Sequence, residues 1–379
     1  ASATGHNSAV NIYSGSGEIR LHGRVTGSTG AMGLLFFEGY SLNGGTNGNI
    51  TLLGNSSITS GTSLGMDFAA WRTLNASYTC TSTIKTVNGN INIIGRASGG
   101  SDNYGIAIDG GSNRHTYTAT GTGTITIDGL ATGTLPNDMR LTNVDILAAS
   151  GAINVLAKGT SGLGIATWNI GNGLFLGQKA SSLVTSSTSN VTVTTNALNT
   201  TNQALTVNTA GQLVFEPYSA NFNAALTWPI ANFSVTGITG LTLGKTNNAT
   251  NITIGTATSV NGPITLHGVD LTLSAGLTTT NTSTGNITFY GTKLLGSGAI
   301  ALATGRALTA NLSGDGEFTG DISGTTISFT KTGAGVLTLN PTSALVFQNA
   351  NVTAGGLTIA ASKQLTVSGT LTNDGTLTL

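Results

Sequence analysis

One short phrase recurs along the whole chain and constrains its fold more than any other feature. The phrase is a Gly, then a small or polar residue, then an apolar–polar–apolar triplet, frequently closed by a second Gly. Alternation with a period of two residues predicts short strands that bury one face. The clearest copies are Gly17–Gly23, Gly48–Gly54, Gly89–Gly95, Gly123–Gly129, Gly151–Val155, Gly262–Gly268, Gly285–Gly291 and Gly375–Leu379.

The spacing of the phrase predicts the architecture. Strands of three to five residues are too short to stand alone, so they must stack on copies of themselves. From Gly262 to Gly285 the phrase has a period of about 23 residues, and the triplets Ile264–Leu266 and Leu271–Leu273 lie within it. Roughly three short strands in such a period are typical of one turn of a parallel β-helix. The predicted fold class is all-β: a right-handed, three-sided parallel β-helix (β-solenoid) with almost no α-helix.

Two other fold classes agree with part of the sequence. An array of β-sandwiches also uses Thr-rich strands, but its strands are longer and joined by hairpins, and Asn-Gly hairpin signals are sparse here. Disorder suits a chain rich in Gly, Thr, Asn and Ser, but the apolar residues are too regularly placed. Both alternatives rank below the β-helix.

The two parts of the chain differ in texture. Before residue 240 successive phrases begin at Gly17, Gly48, Gly89, Gly123 and Gly151, and every interval between them is wider than the later period. The excess over a turn of about 23 residues is expected to leave the helix as loops. We therefore predict turns with long loop excursions over residues 1–239 and regular turns over residues 240–379, in one continuous solenoid.

Charge excludes several classes of partner. Lys plus Arg number 14 and Asp plus Glu number 14, so the formal net charge is zero. Nucleic acid is not expected as a partner, because phosphate binding needs clustered cations. No apolar stretch approaches the ~18 residues of a membrane span. The single cysteine, Cys80, forms no internal disulfide and is interpreted as a small buried hydrophobe.

The sequence holds no convincing chemical site. Asp315, Glu317, Asp321 and the nearby Arg306 form the tightest acidic group, but the surrounding glycines favour a solvated turn over a catalytic pair. The four histidines lack metal-ligand spacing; they are His6, His22, His115 and His267. We therefore predict a protein that is not an enzyme, with no catalytic, cofactor-binding or metal-binding residues and no cofactor.

The aromatic and cationic residues of the long excursions have two interpretations, which the sequence leaves equal. Exposed on loops, they would recognise sugars or proteins. Alternatively, they cover the hydrophobic faces of the β-helix itself. The residues are Trp71, Arg72, Tyr78, Tyr104, Arg114, His115 and Tyr117.

Several phrases resemble those of a known group of proteins. Gly48-Asn49-Ile50-Thr51-Leu52 and its variants resemble filamentous haemagglutinin-like repeats of large bacterial adhesins. The segment Lys331–Leu339 resembles the passenger-associated repeat of autotransporters, and Gly240–Gly291 looks like the tandem modules of very large adhesins. The resemblance implies a non-enzymatic adhesin or matrix module, secreted to the bacterial cell surface, forming a rigid rod or filament. Surface or matrix glycans and proteins are the partners it implies.

Two other functions stay open at this point. One is a carbohydrate-active β-helix enzyme, a polysaccharide lyase or hydrolase. The other is a self-assembling structural polymer or an ice-binding solenoid, which would use ladders of outward Thr side chains. The expected outward threonines are Thr51, Thr126, Thr192, Thr253, Thr265 and Thr288.

The last phrase of the chain predicts self-association. Gly375–Leu379 stops within a strand phrase, with no amphipathic cap after it. An uncovered last turn exposes unpaired backbone groups and apolar side chains, which template stacking by another chain. We expect end-to-end association through this turn, and expect charge at Leu377 and Leu379 to suppress it.

Overall fold

The structure, a computed structural model, describes residues 10–37, 39–69, 82–109, 114–133, 136–159, 163–166, 173–180 and 187–379. The chain forms two compact units: unit 1 comprises residues Ala1–Gln212 and Ala231–Gly237, and unit 2 comprises Leu213–Ile230 and Ile238–Leu379. No helix occurs among the described residues, whose regular structure is entirely β-strand. Trp71, Arg72, Tyr78, Cys80 and His6 lie outside the described residues.

Unit 1 contains twenty short strands. They are β1 (Val10–Tyr13), β2 (Ile19–Gly27), β3 (Ala31–Phe37), β4 (Tyr40–Asn43), β5 (Ile50–Ile58), β6 (Thr62–Ala69), β7 (Ser82–Thr86), β8 (Ile91–Ser98), β9 (Asp102–Asp109), β10 (His115–Ala119), β11 (Ile125–Thr132), β12 (Pro136–Thr142), β13 (Val144–Ala148), β14 (Ile153–Ala157), β15 (Leu163–Ala166), β16 (Leu174–Leu176), β17 (Val191–Thr194), β18 (Leu198–Asn199), β19 (Leu205–Asn208) and β22 (Phe233–Thr236).

Unit 2 contains the other strands. They are β20 (Leu213–Glu216), β21 (Leu226–Trp228), β23 (Leu241–Leu243), β24 (Ile252–Ile254), β25 (Thr258–Val260), β26 (Ile264–His267), β27 (Asp270–Leu273), β28 (Leu277–Thr279), β29 (Ile287–Gly291), β30 (Lys293–Gly296), β31 (Ile300–Ala301), β32 (Ala307–Leu312), β33 (Gly316–Phe318), β34 (Ile322–Ser323), β35 (Ser328–Thr332), β36 (Val336–Leu339), β37 (Leu345–Phe347), β38 (Asn349–Val352), β39 (Gly356–Ile359), β40 (Leu365–Val367), β41 (Leu371–Asn373) and β42 (Thr376–Thr378).

The strands of unit 1 cycle through three faces, one strand per face in each turn. Face A runs β1-β4-β7-β10-β13-β16-β19-β22, face B runs β2-β5-β8-β11-β14-β17, and face C runs β3-β6-β9-β12-β15-β18. Neighbouring strands pair in parallel, for example β5 with β8 and β6 with β9. Every third strand therefore stacks on the one before it, which confirms the prediction of a three-sided parallel β-helix.

Unit 2 repeats the same plan with shorter strands. Face D runs β20-β23-β26-β29-β32-β35-β38-β41 and face E runs β21-β24-β27-β30-β33-β36-β39-β42. The third face, face F, holds β25-β28-β31-β34 and then β37-β40. These pairs too are parallel, as in β26 with β29 and β27 with β30.

The register reproduces the spacing of the sequence phrase. On face B, Ile19 pairs with Ile50, Ile50 with Ile91 and Ile91 with Ile125, so copies of one phrase position lie over each other. On face D, Leu241 pairs with Ile264 and Ile264 with Ile287, which is the spacing expected from the phrase. After Ile287 the turns become slightly shorter, as the successive partners Leu308, Phe329, Ala350 and Leu371 show.

The apolar positions of the phrase form the core of each unit. Ile50, Ile91 and Ile125 are completely buried on face B, and Ile264 and Ile287 are completely buried on face D. Burying one such side chain contributes on the order of 1.5–3 kcal/mol before its lost entropy is subtracted. Because each side chain touches its equivalents in the adjacent turns, the core is a set of apolar columns.

In the described turns of unit 1, part of the residues beyond a turn of about 23 forms paired strands, where the sequence predicted loops. Strands of faces B and C continue past the corner between them and pack on each other, forming a lateral flange. The flange comprises residues 24–27, 55–58, 96–98 and 130–132 of face B with 31–34, 62–65, 102–105 and 136–138 of face C.

Glycines allow the flange to close. A Cβ on Gly54 would lie 2.0 Å from the carbonyl oxygen of Gly65, and one on Gly95 would lie 1.9 Å from that of Gly105. Only glycine permits backbones to approach this closely. The flange buries polar side chains as well as apolar ones, and the buried Ser63 hydroxyl donates to the Ser56 hydroxyl at 2.8 Å. The alternating pattern predicted the strands but not the flange.

Candidate functional site

Three of the residues considered for an exposed contact surface are buried. His115 and Tyr117 are completely buried on β10, and Tyr104 on β9 is 8% exposed, beneath the guanidinium of Arg140 at 4.9 Å. The Tyr40 hydroxyl lies 2.8 Å from His115 Nδ1 and 3.1 Å from the Tyr117 hydroxyl. The loop-surface interpretation is therefore wrong for these three residues, which are buried in unit 1.

Arg114 is also engaged within unit 1. Its guanidinium lies 2.6 Å from the Asp145 carboxylate, donates to Asn143 Oδ1 at 2.7 Å and stacks over the Phe175 ring at 4.7 Å. These contacts hold β10 to the following turns. Arg114 is thus a structural cation, and its charge is offset by a buried carboxylate.

The acidic group of unit 2 does not converge on a common point. Asp315 Oδ1 accepts from the amide of Val336 at 2.8 Å, and Glu317 Oε1 accepts from Asn340 Nδ2 at 2.8 Å. Asp321 accepts from the amides and hydroxyls of the Thr342–Ser343 segment, and these bonds lower its carboxyl pKa. Each carboxylate binds the next turn of the β-helix.

The turn expected around these acids is in part a strand. Gly316–Phe318 forms β33, with Phe318 completely buried and Glu317 exposed. Gly316 does not interrupt this strand, because its backbone pairs with Leu337 on the next strand. The buried Phe318 ring anchors the strand to the core. Arg306 donates to the carbonyl of Ser283, outside this group.

A cluster of opposite charges covers the corner between faces B and C in unit 1. The Asp128 carboxylate binds Arg96 Nη1 at 2.9 Å and Lys158 Nζ at 2.7 Å. Arg96 also donates to the carbonyls of Gly95 and Asp128. Both cations are therefore engaged by one carboxylate of the same unit.

Asp138 is the buried acid beside that cluster. Its two carboxylate oxygens accept from the amides of Ala131 at 2.9 Å and Gly159 at 2.7 Å. Burial raises the pKa of Asp138 to about 6, against the opposing effect of the two amide hydrogen bonds. A raised carboxyl pKa is typical of general acids, but both oxygens here are bound to backbone amides.

An open groove lies in unit 2, on the outer side of face D. His267 ends β26, and Tyr290 is its register partner on β29. Their rings stack with centroids 4.7 Å apart and planes 5° from parallel. Tyr290 is 42% exposed and His267 is half-buried, so this aromatic platform is partly open to solvent.

A column of threonines runs beside the platform. Thr265 and Thr288 are the outward residues two positions before His267 and Tyr290, and they pair in register. The column extends in both directions through equivalent residues on β23, β32 and β35. Its members are Thr242, Thr265, Thr288, Thr309 and Thr330. Successive hydroxyls are about 4.8 Å apart, the spacing of paired strands.

The segment between β23 and β24 forms a wall of this groove. Asn248 is buried, and its Nδ2 donates to the carbonyl of His267 at 2.7 Å, which fixes the wall to β26. Lys245 Nζ donates to the carbonyl of Tyr218 at 2.8 Å. Asn247 is exposed with a φ of 70°, the left-handed region that asparagine tolerates. Asn311 lies beside Tyr290 on the next strand.

The chemistry of the groove is polar and lacks acids among the residues that line it. We call this set the Tyr290 groove. Burial lowers the pKa of His267, so its imidazole is neutral at pH 7. A neutral ring, hydroxyls, amides and one ammonium can hydrogen-bond an uncharged polar ligand. The lining residues are Lys245, Thr246, Asn247, Asn248, Ala249, Thr265, His267, Gly268, Val269, Thr288, Tyr290, Gly291, Thr292, Asn311 and Ser313.

Sequence reasoning placed His267 at a corner and overlooked Tyr290. The signal was present, since each residue directly follows the apolar–polar–apolar triplet of its phrase and the two phrases are one turn apart. Among the other histidines, His22 contacts Asn55 Nδ2 at 3.3 Å and His115 is in the core. Within the described residues no group of three or more His, Cys, Asp or Glu side chains could hold a metal ion.

Comparison with protein families, curated proteins and solved structures returned no match for this chain. A helix long and apolar enough to cross a membrane is not found among the residues that the structure describes.

Proposed function

We propose that this chain is a non-enzymatic adhesive module of the bacterial cell surface and that it binds glycans through the Tyr290 groove. The observation that carries the proposal is the exposed Tyr290 ring, stacked on His267 beside a column of threonine hydroxyls. The resemblance of the strand phrases to adhesin repeats supports an extracellular location and an adhesive role.

Saccharides match the chemistry of the groove. One face of a pyranose ring carries C–H groups that pack on an aromatic ring, while its hydroxyls need donors and acceptors at the edge. Tyr290 offers the ring, and Thr265, Thr288 and Asn311 offer hydroxyl and amide groups around it. The rigid strands hold these groups in place before the ligand arrives, which lowers the entropic cost of binding.

A carbohydrate-active enzyme is the first alternative. Hydrolysis of a glycosidic bond ordinarily requires two carboxyl groups flanking the bond, and a lyase requires a base beside the acidic sugar. The Tyr290 groove is lined by no Asp or Glu, and Asp315, Glu317 and Asp321 each hold the following turn. These arrangements favour binding over turnover.

An ice-binding surface is the second alternative, and the threonine column is its best argument. A flat ice-binding face requires regular hydroxyls over a plane. The column beside the threonines on face D runs His267, Tyr290, Asn311 and Thr332. The protruding Tyr290 ring interrupts the plane, which favours a saccharide over an ice surface.

Binding of immobilised glycans by the wild-type chain and by Tyr290→Ala tests the proposal. We expect the wild type to bind neutral bacterial or host oligosaccharides and Tyr290→Ala to lose at least tenfold in affinity, about 1.4 kcal/mol. Tyr290→Phe, which keeps the ring, should retain most of the affinity.

Tyr218 supplies a matched control, because it is 41% exposed and its ring does not line the groove. Tyr218→Ala should bind like the wild type. Absence of binding to every neutral glycan at millimolar concentration would overturn the proposal, and so would unchanged binding by Tyr290→Ala. Turnover of the bound glycan that is lost in Asp315→Ala or Glu317→Ala would establish the enzyme instead.

A further inference from the structure

We propose that unit 1 carries a second binding groove, on the outer side of face A, that binds carboxylated saccharides through Lys85 and Lys179. The groove, called the lysine groove below, is lined by two lysines, an exposed tyrosine and a set of threonines. It lies on a different unit from the Tyr290 groove and differs from it in charge.

The floor of the lysine groove is a regular array on four strands. Tyr13, Asn43, Lys85 and Thr118 are register partners on β1, β4, β7 and β10. Their side chains point outward about 4.8 Å apart along the column. Tyr13 is 70% exposed and Lys85 is also exposed, so both reach solvent from a rigid sheet.

A second outward column adds hydroxyls to the floor. Ser41, Thr83 and Thr116 pair in register two residues before the first column. The Thr83 hydroxyl donates to the Ser41 hydroxyl at 3.3 Å. Hydroxyls serve as both donors and acceptors, so the array can bind the hydroxyls of a sugar whichever way these point.

Lys179 is held over this floor by its two neighbours in sequence. The amide of Ala180 donates to Asp145 Oδ1 at 3.0 Å, and Gln178 Oε1 accepts from Asn208 Nδ2 at 2.8 Å. Both Gln178 and Asn208 are buried. The segment is therefore anchored on both sides of Lys179 without use of its ammonium, which remains available to a ligand.

The two ammonium groups give the groove a net positive charge. No Asp or Glu lines it, and among the described residues neither Lys85 nor Lys179 makes an ion pair. Asp145, which lies beyond Thr116 in the second column, is buried and bound to Arg114 at 2.6 Å. The charge of Asp145 is thus already balanced, and that of the two lysines is not.

A carboxylated sugar meets these conditions together. Its carboxylate pairs with an ammonium through a charge-assisted hydrogen bond, its hydroxyls match the threonines, and its ring can pack on Tyr13. Two cations are too few for the phosphate backbone of a nucleic acid, which needs a larger set.

Calorimetric titration of the full chain with oligosaccharides of alternating hexuronate and N-acetylhexosamine tests the inference. We expect binding that weakens with salt, and a loss of at least about fivefold for Lys85→Gln or Lys179→Gln and more for the double variant. The wild-type chain should bind the same oligosaccharide only weakly once its carboxyl groups are reduced to alcohols. Its affinity for this ligand should be similar to that of the double variant for the hexuronate. A sulfated, carboxyl-free oligosaccharide should bind less tightly than the hexuronate.

Titrations in the Tyr290→Ala background separate this inference from the function proposed above, because that change removes the platform of the other groove and any saccharide binding there. In that background Arg24→Gln removes an exposed cation elsewhere on unit 1, and it should bind the hexuronate like its parent. Binding in that background that is absent at several millimolar, that is equal for the carboxyl-reduced ligand, or that survives loss of both lysines would overturn the inference. Preference for the sulfated ligand would overturn the assignment to carboxylates.

Discussion

The Asp138 carboxylate accepts the amide proton of Ala131 at 2.9 Å, at the point where the flange of unit 1 ends. Asp138 occupies a position that other turns of face C give to glycine. Asn137 and Met139 pair with Tyr104 and Ile106, and so place Asp138 level with Gly105. The same position on the other turns holds Gly33, Gly65 and Gly164.

An acid is needed here because the strand pairing of face B ends early after this turn. β8 and β11 pair as far as Ser98 and Thr132, but β11 and β14 pair only as far as Gly129 and Ala157. The amide of Ala131 therefore has no backbone acceptor on a following strand. Asp138 supplies the missing acceptor, for Ala131 and for the amide of Gly159, and so caps the flange.

This cap predicts a pH dependence of stability. The pKa of Asp138 is about 6 in the folded chain against 3.8 for the free carboxyl, so the folded state binds the extra proton between these values. The free energy of unfolding should then fall as the pH rises from about 4 to about 6.5, by up to about 3 kcal/mol. Urea denaturation of wild type and Asp138→Gly at several pH values measures this.

Asp138→Gly restores the residue that its own column uses on the other turns. It should be less stable at low pH, because two amides lose their acceptor, and its stability should change less between about pH 4 and 6.5. Carboxylates that do not interact with Asp138 contribute equally to both proteins and cancel in the difference. Parallel pH profiles for the two proteins would contradict the prediction.

The burial of Lys331 predicts how the stabilities of two variants in unit 2 will rank. It lies in an inward column between Ala310 and Val352, and its Nζ donates to the carbonyls of Thr332 at 2.8 Å and Gly333 at 2.9 Å. Removal from water lowers the pKa of Lys331, partly offset by Asp315. Lys331→Ala should cost about 2–4 kcal/mol, because it leaves a cavity and two uncompensated carbonyls.

Lys331→Met is the matched variant, since it keeps the aliphatic stem without burying a charge. It should be more stable than Lys331→Ala by at least about 1 kcal/mol. Denaturant midpoints at one pH decide the order. Equal midpoints for the two variants would show that the stem of Lys331 does not fill the core.

The buried hydroxyl pair of unit 1 gives a third prediction. Tyr40 contacts both His115 and Tyr117 through its hydroxyl. Tyr40→Phe should lower the free energy of unfolding by about 1–3 kcal/mol, because buried polar groups lose a partner. Tyr117→Phe, which removes one contact, should cost less. The exposed Tyr13 provides the control, and Tyr13→Phe should change the free energy of unfolding by less than about 0.5 kcal/mol.

Association through the last turn stays a prediction, with a second copy of this chain as the expected partner. Leu371 is 47% exposed and Leu379 is 82% exposed, although both follow the apolar alternation of the strand phrase. Exposed apolar side chains of this kind favour association between copies. The isolated chain should form larger species at high concentration by light scattering.

Leu377→Lys combined with Leu379→Lys should suppress this association by placing like charges at the contact. Val346→Lys, an exposed apolar position on β37, is the control and should associate like the wild type. A wild-type chain that remains monomeric at high concentration would refute the prediction.

The alternating phrase by itself determined the strands, their parallel stacking and the identity of the core columns. Local alternation specifies which side chains point inward, and the repeat spacing specifies which of them stack, so Ile50, Ile91 and Ile125 could be placed without coordinates. Stacking in register needs no information beyond the chain order, because each turn pairs with the next.

Only the tertiary structure decided where the irregular residues go. Within each of the segments 24–34 and 55–65, the face B part packs on the face C part, because glycines let the two backbones approach closely. Whether they can approach depends on the distance between the two faces at the corner, which only the folded chain defines. Residue type likewise left the positions of His115 and Tyr117 open. Both are polar yet buried, and the Tyr40 hydroxyl from another turn contacts both of them. The lysine groove joins groups from turns far apart in sequence, as Lys85 and Lys179 show. No local pattern encodes such a meeting, because it depends on the path of every turn between them.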